Sequence, residues 1–316
     1  MKPLTLIIVL PCFNEEEVLP ETTRQLTALI MEMIQGGVIS DASRILYVND
    51  GSRDRTWDLI SRYHEENPFV CGVNLAGNVG HQYALMAGLE TAKDVGDLIV
   101  SIDADLQDDI QAIPEMVQKH IGGADIVYGV RQERRTDSWF KRTTAQAFYK
   151  IMSRMGVKSV YNHADFRLMS KRAVEQLCHY RERNLFLRGI VPQIGYQTDC
   201  VYYNRSERIA GESKYPLKKM ISLAIEGITS FSVKPVRALF WAGMVFLLIA
   251  LGILTYVLIA LMTGKAVSGW SSLMLSIWFI GGCILLGLGI IGEYIGKIYL
   301  EVKDRPRYNI ESTLLK

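Results

Sequence analysis

Short apolar runs alternate with helix-like patterns along the first 130 residues of the chain. The runs predicted as strands are residues 4–10, 44–49, 70–75, 98–102 and 125–130. The segments with apolar positions at helical spacing, predicted as helices, are residues 15–35, 54–66, 81–93 and 110–121. Because alternating strands and helices are typical of a parallel sheet with helices on both faces, we predict an α/β domain with a Rossmann-like, mainly parallel sheet.

Two uncharged stretches follow in the C-terminal third of the chain. Residues 238–264 and 266–292 contain no Asp, Glu, Lys or Arg, and each exceeds the roughly 20 residues that cross a bilayer core as a helix. We predict a hairpin of two transmembrane helices over residues 238–297. A pair of buried core helices is disfavoured, because core helices are shorter and carry polar faces.

Positive residues flank this hairpin on one side. The residues concerned are Lys234, Arg237, Lys297, Lys303, Arg305 and Arg307, whereas the loop between the spans holds only Lys265. Because positive flanks stay in the cytoplasm, we expect an integral membrane protein whose N-terminal domain and both termini are cytoplasmic. Residues 298–316 are then a cytoplasmic tail.

Residues 213–237 form an amphipathic segment directly before the first span. Its apolar residues at helical spacing are Leu217, Met220, Ile221, Ala224, Ile228 and Phe231, with Lys218 and Lys219 off that stripe. The pattern predicts a helix on the membrane surface; the alternative is a helix that packs on the N-terminal domain.

Composition adds little to this division. The chain has 316 residues, a net charge of +2 and five scattered cysteines without CxxC spacing, which fits free thiols in a reducing compartment. The charge indicates little about partners, and no nucleic-acid partner is expected. No GxGxxG follows the first strand and no GxxxxGK[ST] occurs, so the usual dinucleotide fold and a P-loop NTPase are disfavoured.

Polar side chains follow three of the predicted strands. Asn14 and Glu15 follow the first strand, Asp50 follows the second, and Asp103 with Asp105 follows the fourth. Ligands of open parallel sheets bind outside the carboxyl ends of the strands. The three clusters therefore predict one site.

Asp103 and Asp105 are the strongest chemical signal. Mg²⁺ takes one or two carboxylates together with substrate phosphates, so this pair could hold an ion that bridges the protein to a diphosphate, and Gln107 could add an amide oxygen. Asn78 and His81 open a predicted helix, whose N-terminus suits an anion.

Two further segments suggest an acceptor side. Asp165 could orient an acceptor or take a proton, and the alternative is a buried salt bridge with Arg167. The cations of residues 205–214 lie just before the membrane, where they are placed to hold a phosphate.

These motifs resemble those of the polyprenyl-phosphate glycosyltransferases of glycosyltransferase family 2, the group of the dolichyl-phosphate mannose synthases and the bacterial bactoprenol glucosyltransferases. The matching motifs are PCFNE at 11–15, VNDGS at 48–52, Asn78 with Gly80, DADLQD at 103–108, GVR at 129–131, AGESKY at 210–215, GEYIG at 292–296 and RPRY at 305–308. Cys12-Phe13 departs from the commoner Val-Tyr, and neither side chain is expected to carry chemistry.

The resemblance implies a GT-A catalytic domain over residues 1–212 and a role for each matched residue. The donor-binding residues would be Pro11, Asn14, Glu15, Asp50, Asn78 and Asp103. The metal ligands for Mg²⁺ or Mn²⁺ would be Asp105 and Gln107. The residues for the acceptor phosphate would be Arg131, Arg205, Arg208, Ser213 and Lys214. The catalytic residues would be Asp103 and Asp105, to which the position of Asp165 beyond the core sheet adds a third. Asp165 would position sugar or acceptor, with proton abstraction as the lesser alternative.

The implied reaction is inverting transfer of a sugar from a UDP-sugar to undecaprenyl phosphate at the bacterial plasma membrane, for modification of cell-envelope glycans. Glucose is the first choice, with N-acetylglucosamine and modified pentoses as alternatives. A processive polysaccharide synthase is disfavoured, because no tryptophan lies in a QxxRW motif. A membrane scaffold that only binds nucleotide-sugar is the non-enzymatic alternative. The glycines from Gly281 to Gly296 suit close helix packing, either within the hairpin or in a homo-oligomer.

Overall fold

The computed structural model of the chain describes residues 3–131, 163–183, 185–204, 234–263 and 269–316. The strands are β1 (Leu6–Cys12), β2 (Arg44–Asn49), β3 (Val70–Leu75), β4 (Leu98–Ser101), β5 (Ile126–Arg131), β6 (His163–Ser170), β7 (Thr198–Tyr203) and β8 (Ile310–Leu314). The helices are α1 (Leu19–Gln35), α2 (Thr56–Glu66), α3 (His81–Ala92), α4 (Ala112–Ile121), α5 (Lys171–Cys178), α6 (Leu187–Ile190), α7 (Lys234–Met262) and α8 (Trp270–Val302), with a 3₁₀ turn at Val191–Gln193.

The strands form one mixed sheet in the order β7-β5-β6-β4-β1-β2-β3-β8. Its centre, β4-β1-β2-β3, is parallel, as the sequence predicted. The strand order reverses between β1 and β4, and such a point opens a crevice at the carboxyl edge of a sheet. This crevice is where the loops after β1 and β4 meet.

Helices cover both faces of the sheet because its central strands are apolar on both sides. All seven residues of β1 are buried. Its even-numbered residues face a core shared with α1, α2 and α4, and its odd-numbered apolar residues face α3 and α5. Each Leu, Ile or Val buried in this way contributes about 1.5–3 kcal/mol, so the centre of the sheet is a rigid base for the loops at its edge.

The sheet differs from the mainly parallel prediction on both sides of its centre. Strand β6 is antiparallel to β4 and β5, and β8 is antiparallel to β3. The sequence did not predict β6, β7 or β8. In β6 the apolar alternation is interrupted by charged residues that pair with one another, and β8 is a short exposed strand whose partner lies more than 200 residues earlier in the chain.

The C-terminal helices are long and apolar. Among the described residues, one segment, Phe279–Val302 of α8, is long and apolar enough to cross a membrane. Its mean hydropathy is 1.8, and 6% of its apolar stretch is buried inside the protein. Gly287 is the buried glycine at which α8 approaches Leu239 of α7, so one of the predicted small residues packs within the hairpin. Most of the amphipathic segment (213–233) and the loop 264–268 lie outside the described residues.

The chain after residue 297, at which the predicted hairpin ends, is partly helix and partly strand. Helix α8 continues to Val302, and the tail then returns to the N-terminal domain, where β8 pairs with β3. Residues 310–314 are therefore part of the sheet rather than a separate tail. The backbone hydrogen bonds of an otherwise open sheet edge explain this return.

Gly88 of α3 provides a direct test of this packing. A Cβ atom there would lie 2.3 Å from Val9 Cγ1 and 2.7 Å from Val48 Cγ2. Helix α3 would therefore have to move away from β1 and β2. We expect Gly88→Ala to destabilise the domain by about 1–3 kcal/mol, as overpacking does, which is several degrees in Tm by thermal unfolding. Gly36→Ala is the control, because its Cβ would meet no atom closer than 3.4 Å. Equal melting temperatures for both variants would contradict the close approach.

Candidate active site

The loops after β1 and β2 are joined at the carboxyl edge of the sheet. The Asn14 N–H donates to Ser52 Oγ at 3.0 Å, and the Arg53 N–H donates back to Asn14 Oδ1 at 2.9 Å. The Glu15 N–H donates to Thr56 Oγ1 at 2.9 Å. Asn14 has a φ of 56°, in the left-handed region that asparagine tolerates. Two predicted donor-binding residues are thus fixed by the loop that carries a third, Asp50. Pro11 is buried within β1.

Asp50 ties this pair of loops to the start of α3. Its buried carboxylate accepts hydrogen bonds from the backbone of Val79 (2.7 Å) and Gly80 (3.0 Å) and from Asn78 Nδ2 (3.1 Å). Burial raises the pKa of Asp50 above its usual value, against the opposing effect of the two backbone N–H groups. Gly51 is required beside it, because a Cβ there would lie 2.5 Å from Asn78 N and its φ is +63°. The structure therefore gives Asp50 and Asn78 a loop-fixing role, and their contact with a donor stays a prediction.

Asp103 follows β4 with an unsatisfied carboxylate oxygen. Its Oδ1 atom is buried and accepts no hydrogen bond among the described residues, and His81 Nε2 lies 3.5 Å away. Burial, together with the nearby charges of Asp165, Asp108 and Asp105, raises the pKa of Asp103 to about 6, while His81 acts in the opposite direction. A buried oxygen that accepts no hydrogen bond costs free energy, and a bound cation or a donor hydroxyl would relieve that cost.

Asp105 and Gln107 lie on a tight turn beyond Asp103. Leu106 between them has a φ of 52°, unusual for a leucine, and the turn brings the Gln107 N–H to 3.2 Å from Asp105 Oδ1. No three His, Cys, Asp or Glu residues of the described chain are grouped as a ready metal site. The carboxylates of Asp103 and Asp105 nevertheless fit Mg²⁺ or Mn²⁺, and Oδ1 of Asp103 accepts no hydrogen bond that an ion would have to replace. Such ions take few protein ligands when phosphates supply the rest.

Asp165 lies between two arginines. Its oxygens accept from Arg167 Nη2 at 2.7 Å and Arg188 Nη2 at 3.0 Å, and His81 Nε2 is 3.9 Å away. Burial alone would raise the pKa of Asp165, but Arg188 and Arg167 outweigh it and hold the pKa well below its usual range. A carboxylate of such low basicity is a poor proton acceptor, so the geometry favours a positioning role. The buried salt bridge with Arg167, considered as an alternative from the sequence, is present as well.

Arg131 is held by a buried acid. Its guanidinium donates to Asp108 Oδ1 at 2.9 and 3.1 Å, and the Tyr203 hydroxyl donates to the same oxygen at 2.6 Å. The side chain of Asp108 is 1% exposed and that of Arg131 is 24% exposed. The structure thus pairs Arg131 with Asp108. A lipid phosphate that bound Arg131 would share its guanidinium with the Asp108 carboxylate.

The structure gathers most of the predicted site at one edge of the sheet. Asn14, Glu15, Asp50 and Asn78 form one side of it. Asp103 and Asp165 lie on the other, 3.5 and 3.9 Å from His81 Nε2, and Asp105 follows Asp103 by two residues. Arg205, Arg208, Ser213 and Lys214 lie outside the described residues. Sequence reasoning missed Arg188 and the role of Asp108. Arg188 lies in an apolar segment without a motif that would have marked it, and Asp108 was seen only as the end of the DADLQD run.

Similarity to known proteins extends over nearly the whole chain. The sequence profile of Glycosyl transferase family 2 matches residues 7–178. The uncharacterized glycosyltransferase YkoT of Bacillus subtilis (strain 168) is 55% identical over 311 residues, which cover 98% of this chain and 92% of the relative. The SfII prophage-derived bactoprenol glucosyl transferase of Shigella flexneri is 41% identical over 311 residues, 97% of each chain. The prophage bactoprenol glucosyl transferase homolog of Escherichia coli (strain K12) is 40% identical over 96% of this chain and 97% of the relative.

Solved structures are more distant. Mannosyl-3-phosphoglycerate synthase from Rubrobacter xylanophilus gives a TM-score of 0.49 at 15% identity, over 76% of this chain and 75% of that one. That similarity supports no conclusion about ligand or substrate. The family profile, by contrast, spans the strands and loops that carry Asp50, Asp103 and Asp165 on a GT-A-like mixed α/β sheet. The chain is therefore an enzyme of glycosyltransferase family 2.

Proposed function

We propose that this enzyme transfers glucose from UDP-glucose to undecaprenyl phosphate with inversion at the anomeric carbon. The observation that carries the proposal is the length of the similarity to bactoprenol glucosyl transferases. It extends over 97% of the chain, well past the family profile, which ends at residue 178, and so includes the apolar helices α7 and α8. A relative that shared only nucleotide-sugar chemistry would not need to match there.

The donor would bind at the crevice between β1 and β4. The loops fixed by Asp50 offer Asn14 and Glu15 to the nucleotide, and Asp103 lies between the nucleotide and sugar positions. Asp105 and Gln107 would hold Mg²⁺ or Mn²⁺, with Asp103 close by. When bound, such an ion neutralises the charge that develops on the departing diphosphate. The orphaned Oδ1 of Asp103 supports this assignment.

The acceptor needs alignment more than deprotonation. A phosphate monoester has a second pKa of about 6, so the lipid phosphate is already largely dianionic at neutral pH. Asp165, held ionised by Arg167 and Arg188, would then orient the reactants, and alignment of this kind lowers barriers substantially. Arg188, whose side chain is 43% exposed, adds positive charge on the acceptor side, together with Arg131 and the predicted strip at Arg205, Arg208, Ser213 and Lys214.

We also propose that α7 and α8 cross the membrane as a hairpin with both chain ends in the cytoplasm. The apolar length of α8 supports one span, and α7 is 29 residues long. The return of the tail to β3 requires the end of α8 and the N-terminal domain to lie on the same side of the membrane. The positive flanks predict that this side is cytoplasmic.

An in vitro transfer assay provides the test of this proposal. Purified protein in detergent or vesicles is incubated with undecaprenyl phosphate and radiolabelled UDP-glucose, UDP-N-acetylglucosamine or GDP-mannose, with and without EDTA. We expect EDTA-sensitive label in the lipid fraction with UDP-glucose, as a β-linked product. Label from another donor alone would overturn the sugar assignment. An α-linked product would overturn the inverting mechanism, and no lipid label with any donor would overturn the function.

Asp105→Asn should abolish most of this transfer. The variant keeps the shape of the side chain but loses the charge that holds the ion, whose contribution is several kcal/mol, so kcat should fall by about 100-fold or more. Asp109→Asn is the control: Asp109 lies four residues away and its Oδ1 caps the Gln111 N–H at 3.0 Å, which an amide oxygen can also do. Equal turnover in the two variants would contradict a metal role for Asp105.

Asp165→Asn should reduce stability in a pH-dependent manner. The change leaves Arg167, whose side chain is 1% exposed, without its counter-charge, at a cost of about 3–5 kcal/mol. Because the folded pKa of Asp165 is lowered, its contribution is complete above the unfolded pKa of about 3.9 and is lost as the pH falls below that value. The Tm difference between wild type and variant should be constant from pH 7 to about 5 and shrink below about 4. A difference that grows on acidification would contradict this assignment.

A further inference from the structure

A continuous chain of hydrogen bonds connects the C-terminal strand to the loops of the donor site. Asn74 Nδ2 donates to Glu311 Oε2 at 2.8 Å, and Asn49 Nδ2 donates to Asn74 Oδ1 at 2.7 Å. The Ser52 N–H donates to Asn49 Oδ1 at 3.3 Å, and the Asn14 N–H donates to Ser52 Oγ at 3.0 Å. The chain thus runs across β8, β3 and β2 to the loop after β1.

Glu311 sits at an irregularity that serves this contact. Asn74 is paired with Ser312, and Leu75 is paired with Ile310, so the register shifts and Glu311 is the extra residue of a β-bulge. Bulges redirect a side chain out of the regular alternation of a strand. Here the redirected carboxylate reaches Asn74, although the Cα partner of Asn74 is a different residue.

The Glu311 carboxylate and the Ser52 N–H, at the two ends of this chain of hydrogen bonds, together set its direction. An ionised glutamate only accepts hydrogen bonds, whereas each asparagine amide can both donate and accept. Asn74 must therefore turn its NH₂ group to Glu311 and its oxygen to Asn49. Asn49 must in turn present its NH₂ group to Asn74 and its oxygen to the Ser52 N–H. Both asparagines are buried, at 9% and 3% exposure, where a reversed amide would face donor to donor and lose these bonds.

The tail that carries Glu311 is fixed to the domain at several other points. The Arg183 N–H donates to Glu301 Oε1 at 2.6 Å, and Arg183 Nη1 donates to the Pro306 carbonyl at 3.0 Å. Arg307 donates to the Tyr180 carbonyl, and the Tyr308 hydroxyl donates to Glu90. The position of β8 is therefore determined from the end of α8 onward, independently of the Glu311 side chain.

We propose that Glu311 is a positioning residue of the donor site, acting through Asn74 and Asn49 on the loops that carry Asn14 and Asp50. The donor aspect rests on the proposed function; the ordering of the loops does not. The C-terminal strand is thereby a part of the donor site. Glu311 acts indirectly, because in this chain of hydrogen bonds it contacts Asn74 and no residue of the Asn14 or Asp50 loop.

The test compares three variants of the full-length protein. Glu311→Ala removes the acceptor oxygen. Glu311→Gln keeps an oxygen that can accept from Asn74. Thr313→Ala is the control on the same strand, because its exposed side chain makes no hydrogen bond among the described residues. Hydrogen exchange without any ligand reports on the loops, and donor KM, acceptor KM and kcat report on transfer.

Glu311→Ala should speed amide exchange at residues 12–16 and 50–53 and raise the KM for the UDP-sugar about three- to tenfold, as expected for loss of one partly buried hydrogen bond. Acceptor KM and kcat should stay within about twofold, and Glu311→Gln and Thr313→Ala should match wild type in every measurement. Unchanged loop exchange in Glu311→Ala, or a loss in Thr313→Ala of the same size, would overturn the inference. Faster loop exchange in a protein that shows no transfer would overturn the proposed function and leave the positioning role standing.

Discussion

Asp50 lies buried at the end of β2, and its carboxylate accepts hydrogen bonds from the backbone that begins α3. Its own backbone N–H donates to the Cys12 carbonyl at the end of β1 at 2.9 Å. One residue thus joins the segments after β1, β2 and β3, which run parallel and end at the same edge of the sheet. Burial of the charge is unfavourable, and the backbone N–H groups offset that cost. The rest of the donor side depends on this arrangement, because the Asn14 loop is held by hydrogen bonds to the Asp50 loop.

The site has opposite charge on its two sides. Asp103 and Asp105 place negative charge after β4, where burial raises the pKa of Asp103, whereas the nearby Asp108 is paired with Arg131. The negative charge of Asp165 is instead outweighed by the positive charges of Arg167 and Arg188. A cation is thus suited to the first side and an anionic group to the second. The proposed reaction requires both, because a cation would stabilise the leaving diphosphate while an anionic phosphate attacks. The metal and the lipid phosphate are assigned to these sides on that basis.

The sequence predicted the central sheet and the carboxylates well for a physical reason. Strands β2 and β3 were predicted with the bounds observed, because their apolar runs are continuous and bounded by polar turns. Asp103 and Asp105 were found because they follow such a run. The salt bridge of Arg167 with Asp165 was considered as an alternative, but Arg188 escaped prediction, since local sequence does not reveal an acid that lies 23 residues away. Strand β8 escaped for the same reason: its register depends on the distant β3 edge and on a bulge.

Manganese binding measured by electron paramagnetic resonance tests the central claim, that one metal-assisted donor site lies at the edge shared by β1, β2 and β4. Mg²⁺ and Mn²⁺ sites of this kind take their remaining ligands from substrate phosphates. The account predicts weak Mn²⁺ binding to the free protein, tight binding when UDP is added, and loss of that gain in Asp105→Asn. Equally tight binding without UDP, or a UDP effect that survives Asp105→Asn, would contradict it.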